Sequence, residues 1–351
     1  MRRGLIARSK VELPDAVFDA RLDRLRAAMR GLDALIVYTN NTRPAGVSWL
    51  VGFVPYWSEA LLVLPRTGPP VLVVALTFRV KPWIERTSRV AEVIHTPRIG
   101  IEAARLIAGG KADAAVGIVD FDHLSVGIAD DLREAGPQLS FFDASDVFAA
   151  LRGCADPAEI ALAARASAIA TSALSCIDPA ADRIGSVLAA VEGEARRLGA
   201  EEVYVAAAPE LARDRRLVRI ENGPAGEPAL GTRFAVRASV AYKGSWVRRV
   251  VTIERDGGAA RAEAAAVAFA AAAAQLPDTR GLAQFSSFLV EGCRLAQPLE
   301  ALTGTRVAEP RPPIAGAVVS VQACFEVDGL PVLFGAPVLV GAPDEAASIL
   351  A

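Results

Sequence analysis

Apolar residues recur at helical spacing over residues 15–30, where Val17, Phe18, Leu22, Leu25 and Met29 fall three or four positions apart. Residues 33–38 (DALIVY) break that period and read as a buried strand. A loop containing Asn40, Asn41, Pro44 and Gly46 follows. Three more short apolar runs, 48–53 (SWLVGF), 60–65 (ALLVLP) and 70–75 (PVLVVA), come next and read as strands. Arg66-Thr67-Gly68-Pro69 joins the last two in a hairpin-like turn. A strand at 116–120, a helix at 123–134 and a strand at 138–142 continue the alternation, so this half is predicted to be α/β.

The texture breaks near residues 152–157 (RGCADP), where Asp156-Pro157 has the form of a helix start with proline at the first helical position. Two long helices are expected at 159–177 and 182–198. Strands follow at 202–207, 217–221, 234–241 and 246–254. Helices at 259–275 and 281–295 precede a final strand pair, 317–327 and 331–340, turned by Asp328-Gly329. Two helices then strands, repeated, predicts an α+β second half with an approximate internal doubling.

The length of 351 residues suits two domains with real cores. Mean hydropathy is +0.33. The apolar excess is largely alanine, and no uncharged run is long enough to span a bilayer. The basic start of the chain lacks the apolar stretch of a signal peptide, and a cytoplasmic location is expected. With 38 basic against 40 acidic residues there is no electrostatic footprint for nucleic acid. Cys154, Cys176, Cys293 and Cys324 form no CxxC pair and read as buried or free thiols in a reducing compartment. Histidine is scarce: only His95 and His123, both in the first half. Chemistry confined to the second half must therefore work without imidazole.

Several segments, in order, resemble the creatinase/prolidase/aminopeptidase P family. Arg21-Leu22 with Arg24-Leu25 through 33–37 is similar to the opening of its N-terminal domain, and Trp49-Leu50-Val51-Gly52-Phe53 to its "YLTGF" segment. Leu151-Arg152 with Asp156-Pro157-Ala158-Glu159-Ile160 resembles the junction that opens the C-terminal domain. Leu230-Gly231-Thr232, Tyr242-Lys243-Gly244 and the stretch 316–321 (GAVVSV) resemble later family segments. The resemblance implies an α/β creatinase-like N-terminal domain over 1–152, an α+β pita-bread C-terminal domain over 153–351, and a dimer or a heteromer with a related subunit.

It also implies a dinuclear metal site of two aspartates eleven residues apart across a β-hairpin, a histidine and two glutamates. Counted from Tyr242-Lys243-Gly244, the aspartate positions hold Arg237 and Arg248. Ala308-Glu309-Pro310 matches "HEP", which places Ala301 at the histidine; Gln322 and Gly335 fall at the glutamates. The family's ligand set carries about −4, and these substitutions swing the pocket to roughly +2. Two unit charges 4 Å apart interact by about 4 kcal/mol at an effective dielectric near 20. Such a site repels a metal, and arginine cannot shed its proton in relief. No cofactor is expected.

Strand alternation puts Arg237 on a face with Ser239, and Arg248 with Trp246 and Val250, with Arg249 pointing away. Gln322 shares a face with Ser320 and Cys324. Two readings stand. Arg237 and Arg248, with Ser239, Trp246, Gln322 and Glu309, form an anion site for a small ligand; or the arginines pair internally with Glu254, Glu309 or Glu326, or line a solvated vestigial pocket. Arginine is also the default cation of this chain, in which only Lys10, Lys81, Lys111 and Lys243 are lysine. Cys324 lacks a base and reads as a buried thiol. His95 and His123 read as structural or surface residues. The aromatic stretch 49–59 serves either a ligand or dimer rim or ordinary core packing.

The favoured function is that of a binding, regulatory or structural pseudoenzyme subunit on a metallopeptidase fold. The alternative is a metal-independent hydrolase or lyase for a small anionic C–N substrate. An ordinary metallopeptidase is disfavoured.

Overall fold

The structure, a computed structural model, describes residues 11–351 apart from 42–44, 56, 91, 219, 221–225, 293–312 and 343–344. Two compact units divide at Gly153/Cys154.

The first unit contains α1 (Asp15–Ala28), β1 (Ala34–Thr39), α2 (Ala45–Val51), β2 (Ala60–Pro65), β3 (Val71–Val74), α3 (Lys81–Thr87), β4 (Glu92–His95), α4 (Ile99–Gly110), β5 (Ala115–Val119), α5 (Val126–Ala135), β6 (Ser140–Asp143) and α6 (Ser145–Leu151). Its strands form one mixed sheet in the order β4-β3-β2-β1-β5-β6. All six β1 residues are buried because both faces of the strand are covered. Leu35 and Val37 pack with α1 and α2 residues, whereas Ala34, Ile36 and Tyr38 pack with α4 and α5. Burial on both sides explains a continuous apolar run in place of alternation.

The run 48–53 is a correction. It lies largely in helix α2, which stops at Gly52 (φ +77) with the Gly52 amide donating to the Ser48 carbonyl. A short apolar run does not distinguish a buried helix from a strand, and Val47, Leu50 and Val51 take helical spacing into the core. Trp49 is where distant segments meet. Arg21 donates to the Trp49 carbonyl (2.8 Å), and the guanidiniums of Arg21 and Arg152 lie 4.9 and 5.4 Å from its ring centre. Phe148 meets the same ring edge-on. The 49–59 stretch therefore divides. Trp49 and Phe53 are core, while Trp57 is exposed; Tyr56 lies outside the described residues. His95 Nδ1 bonds the Leu76 carbonyl and His123 is exposed in a short turn, as their structural reading expects.

The second unit opens on α7 (Pro157–Leu174), whose first turn is closed by a capping box. Asp156 accepts from the Glu159 amide, and Glu159 accepts from the Asp156 amide. Then come α8 (Ile184–Arg197), β7 (Glu202–Ala208), β8 (Arg233–Tyr242), β9 (Ser245–Glu254), α9 (Ala259–Ala273), β10 (Ser287–Gly292), β11 (Val318–Val327), β12 (Leu330–Leu339) and β13 (Ser348–Ile349). The strands form one sheet, β10-β11-β12-β9-β8-β7, with β13 on β12.

Both hairpins turn on two residues at positive φ, Lys243-Gly244 (+48, +82) and Asp328-Gly329 (+53, +72), the form that matches strand twist. Among the described residues, helices α7, α8 and α9 cover one face of this sheet. Phe234, Val236, Ala238, Val240 and Val247 pack with α7 and α8. Phe269 and Ala272 of α9 pack with Val321, Ala323, Val332 and Ala336.

A further expectation is overturned. A helix is predicted over 281–295, yet in the described part a short 3-10 turn (Arg280–Gln284) leads into β10, which pairs with β11 from Ser287↔Cys324 to Gly292↔Val319; residues 293–295 lie outside the described residues. The open edge of β11 supplies a ladder that local pattern does not show, and serine and glycine give little helix propensity to oppose it. The internal doubling therefore lapses after α9. Of the strand predicted over 217–221, Val218 makes an isolated bridge to Ala207, while 219 and 221 lie outside the described residues.

Candidate functional site

The β8–β9 register builds the site. Arg237 lies opposite Val250, and Ser239 opposite Arg248. Residues opposite one another in an antiparallel pair share a face, so the eleven-residue spacing sets the two arginines side by side on a diagonal. Such diagonal neighbours are about 7–8 Å apart. The row through Arg237 and Val250 continues to Gly335 on β12 and Gln322 on β11. The four positions that resemblance assigned to metal ligands on these strands therefore share the helix-free face. Arg237 is 2% exposed and Arg248 3%.

Ser239 and Ser320 are also buried there. Ser320 Oγ accepts from the Arg248 amide at 3.0 Å, tying β11 directly to β9. Gln322 lies two residues along β11 on the same face. Its Oε1 is shut off from solvent and accepts no hydrogen bond among the described residues. Trp246 is buried and stacks obliquely on Tyr204, ring centres 5.7 Å apart. An apolar patch of Ala206, Ala235, Val250, Cys324 and Leu333, with Leu211 and Leu217 from the segment after β7, closes the other end. Cys324 is a buried thiol within that patch, as expected.

The internal-pair reading is corrected in two of its three parts. Glu254 is engaged by Arg261, Nε to Oε2 3.0 Å, and Glu326 by Arg215. Both carboxylates are thus committed to arginines other than the sheet pair. Glu309 and Ala301 lie outside the described residues. Arg249 points to the helical face as alternation requires. Its Nε donates to Ser167 Oγ (2.9 Å) and its Nη2 to the Leu350 carbonyl, and burial lowers its pKa.

Sequence reasoning missed Glu201. Burial pushes this carboxyl up to about 7 from its ordinary 4.5, against the pull of the Lys243 ammonium 3.7 Å away. The signal was available: Glu202 pairs with Ala241, so the residue before β7 meets the β8–β9 turn.

The implied metal pair can be tested against these side chains. Guanidinium has no lone pair to give and stays protonated. Gln322 offers a neutral amide and Gly335 no side chain. Among the described residues no group of three or more His, Cys, Asp or Glu is placed to hold an ion. The described residues do not fit a divalent metal pair.

Comparison with known proteins places the fold. The sequence profile of the Creatinase/Prolidase N-terminal domain matches residues 21–154. The resemblance read from the sequence is thereby borne out. Over the full length the structure is similar to a prolidase from Pyrococcus furiosus (TM-score 0.64, 17% identity, 94% of this chain and 98% of that one). It is similar also to an Xaa-Pro dipeptidase from Bacillus anthracis (0.65, 18%, 95% and 97%). A dipeptidase PepE from Mycobacterium ulcerans gives 0.62 at 20% identity, covering 96% of each chain. The creatinase/prolidase domain is thus followed by a sheet domain of pita-bread fold. No curated protein sequence matches the chain. No helix among the described residues is long and apolar enough to cross a membrane.

Proposed function

We propose that this chain is a prolidase-fold pseudoenzyme, a binding or regulatory subunit whose pita-bread domain holds a small anion instead of a metal pair. Arg237 and Arg248 are its principal groups, with Ser239, Trp246, Gln322 and Glu309 as the candidate surround. The single observation that carries this reading is the burial of two guanidiniums side by side on the helix-free face. Buried cations are stable when they meet anions, and paired guanidinium forks suit carboxylate or phosphate oxygens. Self-association, or pairing with a related pita-bread subunit, is the partnership this reading expects.

The alternative, metal-independent cleavage of an anionic C–N substrate, needs a proton acceptor. The described part of this face offers Ser239, Ser320, Tyr204 and Cys324 but no imidazole, so this reading ranks second.

The test is to load purified protein with Mn, Co or Zn, measure bound metal, and assay Xaa-Pro dipeptides. Substoichiometric metal and no hydrolysis are expected. Stoichiometric metal together with hydrolysis overturns the proposal.

A further inference from the structure

Resting on the self-association that reading expects, we infer that the first unit pairs head to tail with a second copy of this chain, through two unlike faces at opposite edges of its sheet. The first face lies toward the β4 edge. Phe78 and Arg79 stand between β3 and α3, and Phe78 is 73% exposed. Trp57, which precedes β2, is 66% exposed at the same end of the sheet, because Ala60 pairs with Val74. Arg79 and Arg86 are exposed there and enter no ion pair among the described residues, whereas Lys81 is met by Glu85 at 3.8 Å. Glu59 at this end is half-buried and accepts from the Tyr38 hydroxyl. The exposed face is aromatic and positive.

The second face lies at the β6 edge, on residues 142–147 (FDASDV). Phe142 is 50% exposed and Val147 37%. Asp143 and Asp146 are exposed between them and meet no cation among the described residues. The Ser145 hydroxyl and amide hold the Asp143 carboxyl below its ordinary range, so it is ionised at neutral pH. This face is apolar and negative.

Apolar side chains left in water gain from being covered, and the charges beside them set which surface covers them. Like charges oppose either face meeting itself. In the order β4-β3-β2-β1-β5-β6 the two edges are five strand spacings apart, about 24 Å, so one chain cannot join its own faces. A second copy can. Such a contact leaves one face of each kind open, so it propagates where a two-fold contact would close at a dimer.

Faces this small suit a weak contact, so sedimentation velocity of the full chain is followed up to about 100 μM. The mean sedimentation coefficient should rise steadily with concentration, and the rise should vanish in about 0.5 M sodium chloride, where charges are screened within a few ångström. Phe78→Ser with Arg79→Ser, and separately Phe142→Ser with Val147→Ser, should each abolish the rise. Their equimolar mixture should associate again, since each variant keeps the face the other has lost. Circular dichroism checks that both are folded, and the salt series on the unaltered protein tests the inference without them. No rise in the unaltered protein, a rise persisting in either variant, or a mixture that does not associate overturns the inference. A discrete dimer at every concentration and salt also overturns it, while leaving self-association standing. Metal loading and dipeptide hydrolysis test the pseudoenzyme reading separately from all of these outcomes.

Discussion

Arg248 and Arg249 are adjacent in β9, and the strand sends them to opposite faces of one sheet. Arg249 enters the helical face, where its donors meet Ser167 of α7 and the Leu350 carbonyl. Arg248 enters the helix-free face beside Arg237, among Ser239, Ser320 and Gln322. The first face is otherwise a continuous apolar core from Ala163 to Val247, and its arginine serves to fasten a helix and the chain end. The second face mixes buried charge with buried hydroxyls, an arrangement that tertiary packing alone does not favour. The same residue type thus fastens a helix on one side and, in the proposed reading, meets an anion on the other, where it is also the more deeply buried.

The sharpest break in that contrast is expected in the apolar core. Phe234 is fully buried between the sheet and α7–α8. Phe234→Ala should cost about 3–5 kcal/mol, read as a fall in urea midpoint at unchanged slope. A loss under about 1 kcal/mol would mean that this face is not the stabilising one.

The next effect concerns a buried charge that neither face explains. Glu201 titrates near 7 when folded and near 4.5 when unfolded. Below pH 4.5 it is neutral in both states. Between about 4.5 and 7 the unfolded chain releases its proton while the folded chain keeps it, so stability falls as pH rises. Above 7 the fall levels off. A shift of this size corresponds to roughly 3 kcal/mol. Glu201→Gln should flatten the urea midpoint across this window. Asp33, Asp131 and Glu194, whose pKa values are lowered, act in the opposite sense and at lower pH. Parallel profiles for the two proteins would show that Glu201 is not the titrating group.

Much of this layout was legible beforehand, for reasons tied to local chemistry. The two glycine-containing turns fix both hairpins, and once Lys243-Gly244 is a two-residue turn, Arg237 and Arg248 must share a face. Asp156-Pro157 announces α7 because its cap is built from residues three apart. The misreadings have another origin. Whether 281–295 is helix or strand depends on the open edge of β11, and whether 48–53 is strand or helix depends on what surrounds it. The Ser320–Arg248 tie spans 72 residues and leaves no periodic trace. The commitments of Glu254 and Glu326 to Arg261 and Arg215 are likewise tertiary, and a list of carboxylates could not distinguish them from partners of the sheet arginines.

The smallest effect tests the opening contrast most directly, through the same substitution at two adjacent positions. Arg249→Met removes donors from Ser167 Oγ and the Leu350 carbonyl, although Ser167 Oγ itself donates to that carbonyl at 2.8 Å and keeps it satisfied. The net loss should therefore be about 1–2 kcal/mol. Arg248→Met removes one of two like charges buried on one face and replaces it with an apolar chain of similar length. Loss of one of two like charges relieves their mutual repulsion, so in the proposed reading the Arg248→Met protein is expected to lose less stability than the Arg249→Met protein. Thermal melts of both variants at low anion concentration read the difference, and added phosphate should raise the midpoint of the Arg249→Met protein while leaving that of Arg248→Met unmoved. Equal losses at both positions would mean that Arg248, like Arg249, is a structural fastener.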